Sequence, residues 1–103
     1  MTTETSDMMN WAAGPLHAAL VAALPIFVKE PFSTAPRLNI PELKKAVGKS
    51  HETVYKWLRT NRLNPRNAQR LVDLANTRDN VAVLRQLGRS APKIEDFSRF
   101  VFT

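Results

Sequence analysis

The stretch from Leu43 to Leu58 leaves the backbone little choice. Leu43 and Val47, four residues apart, form one apolar helical stripe, and Val54, Trp57 and Leu58, spaced three and four, form another. Between the stripes lie Gly48, which enters the left-handed region at low cost, and Ser50, whose hydroxyl suits a helix N-cap. Two amphipathic helices this close can bury both stripes only if the chain bends sharply at Gly48 and folds one helix against the other. The spacing therefore predicts a helix-turn-helix unit.

Helix punctuation continues on both sides. Asn39 precedes Ile40-Pro41-Glu42, a cap followed by a proline that loses no needed donor and a carboxylate that suits the positive end of the helix dipole. Asn61 ends the helix that Ser50 opens, and Asn64-Pro65 starts another with Ala68, Leu71, Val72 and Ala75 inward. Shorter helices follow, one with Val81, Leu84 and Leu87 inward and ending at Gly88, one after Pro92 with Ile94, Phe97, Phe100 and Val101. Upstream, Pro15 suits the first turn of a helix carrying Leu16, Leu20 and Leu24 on one row and Ala19, Ala23 and Phe27 beside it. Its other side, Ala18, Val21 and Ala22, is apolar too, so burial on both sides within the fold or against a second copy is expected. No run alternates apolar and polar residues over a strand's length. The fold class expected is all-α, a compact bundle of about five to six short helices containing the helix-turn-helix.

The expected organisation is a flexible N-terminal arm over residues 1–14 and a single domain over 15–103. Within the domain the N-terminal helix spans 15–30, the helix-turn-helix 39–60 and the C-terminal helices 64–103, with a proline-flanked loop at 31–36. A chain of 103 residues is the size of one domain. It has no cysteine, which excludes disulfides and thiolate chemistry and is usual inside a cell. The apolar stretch Trp11–Val28 is broken by Pro15 and Pro25 to an uninterrupted Leu16–Leu24, far short of the roughly 20 residues of a membrane span. Glu4 and Asp7 oppose the basic start of an export signal, so a cytoplasmic protein without membrane contact is expected.

Enzymatic readings find little to build on. His17 and His51, without cysteine, cannot assemble a usual zinc site, and His51-Glu52 lacks the second histidine of a zinc-protease helix. With glycine only at 14, 48 and 88 no phosphate-cradling loop is present. The expectation is a non-enzyme with no cofactor, no metal and no evident small-molecule ligand. His17, on an apolar helix, reads as a packed or interfacial histidine.

Charge is the informative property. Fifteen Lys+Arg against nine Asp+Glu give +6. Between Arg37 and Arg70 nine basic residues face only Glu42 and Glu52, a local +7 that leaves −1 for the rest of the chain. Such a concentration points to a polyanionic partner. On the second helix of the pair, Ser50, His51, Glu52, Tyr55, Lys56 and Arg59 stay outside the apolar stripe, a donor-rich ridge near an N-terminus of the kind that meets base edges in a major groove.

Residues 39–75 resemble the helix-turn-helix core of the Cro/C1 (lambda-repressor-like) family of phage and bacterial transcriptional regulators. The resemblance is carried by Leu43, Val47, Gly48, Ser50, Val54 and Trp57-Leu58, followed by the capped helix at Asn64-Pro65. Lys44 stands where that family usually has alanine, and Lys49 where it usually has an apolar residue. The resemblance implies base contacts from Ser50, His51, Glu52, Tyr55 and Lys56, with Lys49 and Arg59 flanking them. Chemistry is compatible: Lys56 and Arg59 can donate to guanine, and Glu52 can accept from cytosine or, four residues before Lys56, simply order it. Asn39, Lys49, Arg62, Arg66 and Asn67 are the candidate phosphate contacts.

The function expected is sequence-specific binding of double-stranded DNA by a transcriptional regulator, of the phage repressor type, in a bacterial cell or phage-infected host and associated with the nucleoid. One recognition helix reads few base pairs, so a homodimer on a pseudo-palindromic operator is expected, with Leu16, Leu20, Leu24, Phe97 and Phe100 as candidate contacts. Two alternatives stay open. Glu52 in the ridge and lysines at two normally packed positions suit a protein-interaction module on the same fold, such as an antirepressor or a phage assembly factor. Non-specific nucleic-acid binding would show affinity without sequence preference.

Overall fold

The computed structural model describes residues 11–29 and 36–101. Residues 1–10 of the expected arm and 31–35 of the expected loop lie outside them. Helix α1 spans Pro15–Ala23, α2 Ile40–Val47, α3 His51–Thr60, α4 Pro65–Ala75 and α5 Arg78–Gln86, and a final 3₁₀ segment runs from Ile94 to Phe100. The fold is mainly helical, as its spacing predicts. A small departure is a two-residue antiparallel ladder, β1 (Val28–Lys29) on β2 (Arg37–Leu38), with Val28 opposite Leu38 and Lys29 opposite Arg37. Two residues per strand are too few to alternate visibly, so pattern reading passes over them.

The expected N-terminal helix over 15–30 is cut short. Leu24 sits at φ −125° and ψ 61°, outside the helical region, because a residue before proline is pushed out of it. Pro25–Phe27 then form a 3₁₀ turn that leads into β1. The C-terminal piece is 3₁₀ rather than α. With about three residues per turn, that geometry places Phe97 and Phe100 on one side, and both are buried. Leu63 N–H donates to the Phe100 carbonyl at 2.8 Å, tying this segment to the α3–α4 connection.

Leu16, Leu20, Leu24, Leu43, Val47, Val54, Leu58 and Leu63 are all fully buried and belong to one apolar cluster that also holds Trp57, Phe97 and Phe100. This overturns the assignment of Leu16, Leu20, Leu24, Phe97 and Phe100 to a dimer contact. Their side chains are consumed by the chain's own core, where each stabilises by about 1.5–3 kcal/mol through lost water contact. The outer side of α1 exposes Ala18 and Ala22, whose side chains are too small to demand cover. Leu87, expected inward, is 40% exposed at the end of α5. Trp11, expected in the arm, packs edge-on against both His17 and Tyr55 with ring centroids 5.3 and 5.2 Å away. Large aromatic area outweighs the polar character of the residues before it.

Candidate nucleic-acid interface

The two helices of the central pair are joined by Gly48, Lys49 and Ser50, and they pack on each other. Gly48 has φ 70° and ψ 35°, the left-handed conformation that side chains other than hydrogen resist. Its N–H and that of Lys49 both donate to the Lys44 carbonyl, closing α2. The neighbouring Val47 carbonyl receives Arg70 Nη1 from α4 at 2.6 Å. Arg70, one of the nine basic residues of the charged stretch, therefore braces the bend from behind. Ser50 begins α3 by accepting from Thr53 N–H at 3.2 Å, and Asn39 does the same for α2 from Glu42 N–H at 3.4 Å.

Helix α3 ends on a second left-handed residue, Asn61, at φ 56° and ψ 39°. Its N–H returns to the Trp57 carbonyl, while its Oδ1 accepts from Leu16 N–H at 3.0 Å. Gly14, at the N-cap of α1, offers no side chain of its own, so a residue at the far end of another helix supplies the cap. A Cβ on Gly14 would come within 2.5 Å of that Asn61 oxygen, which explains glycine there. Asn80 does comparable work at the other end, donating from Nδ2 to the carbonyls of Ala23 and Ala75 at 2.8 and 2.7 Å. None of these long-range caps is legible from spacing, although an asparagine closing a helix is a hint for Asn61.

With Val54, Trp57 and Leu58 buried, the outward line of α3 carries Glu52, Lys56 and Arg59, all exposed. Glu52 and Lys56 form no ion pair; among the described residues the pair recorded is Glu42–Lys45 at 3.9 Å, both exposed and of little consequence for stability. The rest of the expected base-contact set divides. His51 is exposed at the first turn, Ser50 is committed to the cap, and Tyr55 is half-buried between Trp11 and His51. Tyr55 thus supports the flank of α3 with most of its ring.

The expected phosphate contacts are scattered differently. Lys49, Arg62 and Arg66 are exposed around the two ends of α3 and the start of α4. Asn67 is 7% exposed, on the floor of a groove bordered by Thr53, Lys56, Thr60, Arg62 and Asn64. Its side chain is reachable only from inside that groove. The start of α4 is a poor anion site by itself, because Pro65 has no N–H and the Asn67 N–H is taken by Asn64 Oδ1 at 2.8 Å. Asn39 spends its oxygen on the α2 cap. Lys44 is half-buried and Lys49 exposed.

Behind α3, His17 is 4% exposed and its Nε2 accepts from the Leu38 N–H at 3.3 Å. Burial, and secondarily the Arg37 guanidinium, hold its pKa below the ordinary 6.5, so the imidazole is neutral at pH 7 with its proton on Nδ1. Arg37 in turn lies 5.6 Å above the Trp11 ring. Family models, curated proteins and solved structures provide no match to this chain. Among the described residues no helix is long and apolar enough to cross a membrane.

Proposed function

We propose that the chain is a sequence-specific regulator that binds double-stranded DNA by laying α3 in the major groove, in the manner of the Cro/C1 helix-turn-helix proteins it resembles. One observation carries the reading: Glu52, Lys56 and Arg59 form an exposed line on a helix whose opposite side is locked into the core by Val54, Trp57 and Leu58. Readout needs base-reaching groups on a rigid support, since a donor displaced by an ångström loses its partner. Lys49, Arg62 and Arg66 lie where flanking backbone contacts would fix the register. The reading includes a two-fold pair of chains, because one such helix addresses too few base pairs for selectivity. The pairing surface excludes the five core residues named above. A cytoplasmic, nucleoid-associated location belongs to the same proposal.

Selection from a random duplex pool at near-physiological salt tests it. Enrichment of an inverted repeat, with half-sites about 10 base pairs apart or a multiple of that, is expected. Lys56→Ala and Arg59→Ala are expected to weaken the enriched site by about 1–3 kcal/mol each and to relax preference at individual positions. Binding with no enriched sequence, or preference unmoved by either substitution, overturns the assignment of α3.

A further inference from the structure

On the side of α1 away from the core lies a cavity of about 510 Å³ that the DNA reading does not use. Its wall is built from Ala18, Val21 and Ala22, and its polar lining comes from His17, Arg37 and Arg89. Among the described residues no acidic side chain lines it. We propose that this cavity is a binding site for a small monocarboxylate with a short apolar body.

The argument rests on what the lining offers. His17 Nε2 accepts from the Leu38 N–H, which leaves the ring's proton on Nδ1 as its donor. Arg89 spends Nη1 on the Ala22 carbonyl at 3.2 Å, which holds the guanidinium at the cavity and leaves further N–H groups on it. Arg37 is oriented by its stacking on Trp11. These side chains present donors and positive charge, so the complementary ligand group is an anionic acceptor. Carboxylate suits two guanidiniums well, since its planar pair of oxygens matches their forked donors. The small apolar wall asks for hydrocarbon beside that group, which a fully hydrated anion such as inorganic phosphate does not provide. The volume is within the range of small-molecule sites.

The experiment is an NMR titration of the full chain with hexanoate and benzoate, following the His17 ring and the Ala18 and Ala22 methyl groups. Hexanamide and inorganic phosphate serve as probes that keep only the apolar body or only the charge. Saturable shifts at His17 and the alanines are expected with the carboxylates up to about 10 mM, a range that fills a site with Kd near 1 mM. Arg37→Gln and Arg89→Gln, both at exposed positions, should each weaken binding about tenfold, while Arg85→Gln, on α5 outside the lining, should leave it unchanged. Circular dichroism of each variant separates lost binding from lost folding. Absence of saturable shifts at His17, equal response to hexanamide or phosphate, or indifference to both arginine substitutions overturns the proposal. The outcome is independent of any DNA measurement.

Discussion

Helices α1 and α3 solve the same problem by opposite means. Helix α3 is self-sufficient: Ser50 opens it, three apolar residues bury one side, and its outer line is polar. Helix α1 has an apolar residue on nearly every side, no side-chain cap of its own, and no charged residue in its first or last turn. It exists because leucines at 16, 20 and 24 are enclosed, Asn61 caps its start and Asn80 donates to the Ala23 carbonyl at its end. One helix is written in its own residues, the other in residues far along the chain. What the contrast teaches is that the surface proposed here for DNA is held up by local rules, and the support behind it by distant ones.

The sharpest way to break this contrast is to empty the support. Leu20→Ala should cost about 2–5 kcal/mol in denaturant unfolding, because Leu20 is fully buried and the core around it cannot all collapse into the space. A cost below about 1 kcal/mol, as expected of a surface leucine, would restore the dimer-contact reading of α1. Next come the two caps. Asn61→Ala loses both the hydrogen bond to Leu16 and a side chain tolerant of positive φ, about 2 kcal/mol together, whereas Ser50→Ala loses a local cap worth about 1 kcal/mol. Asn61→Gly keeps the backbone conformation and should fall between wild type and Asn61→Ala. Equal costs for Asn61→Ala and Ser50→Ala would mean that the distant cap matters no more than the local one.

The smallest effect concerns His17. Its folded-state pKa lies below the ordinary 6.5, so the unfolded chain binds the proton more readily and acid favours unfolding. The stabilisation is fully present above pH 6.5 and is lost as pH falls from there through the lowered folded value. Unfolding free energies measured between pH 7.5 and 5.5 should decline, and His17→Gln should flatten that decline. An unchanged slope in the variant would place the titration elsewhere.

The central pair was legible because each of its signals acts over a few residues: a stripe at helical spacing, a glycine that bends, a serine that caps. The charged stretch was legible as a sum, but its division of labour was not. Arg70 looks like any other cation in sequence, and only its position on α4 turns it toward the Val47 carbonyl. Asn67 suffers the reverse correction, a polar residue near a helix start that packing places on a groove floor. Trp11 lies next to polar residues in sequence and beside Tyr55 in space, so its role could be read only once α3 was in place. The cavity beside α1 left no trace in sequence, because alanines lining an empty space look the same as alanines packed against a neighbour.

Asn61 also bears on the order of assembly. The bond from Leu16 N–H spans 45 residues, whereas the caps of α2, α3 and α4 each span three. Closing a long segment exacts chain entropy before its contacts reward it, so nearby pairings have the advantage in time. The α2–α3–α4 unit is therefore expected to form the folding nucleus, with α1 docking onto a largely finished partner. On that order, Asn61→Gly should steepen escape from the native state and leave the refolding arm of a chevron almost unmoved, making one asparagine the latch that sets how long the folded molecule lasts.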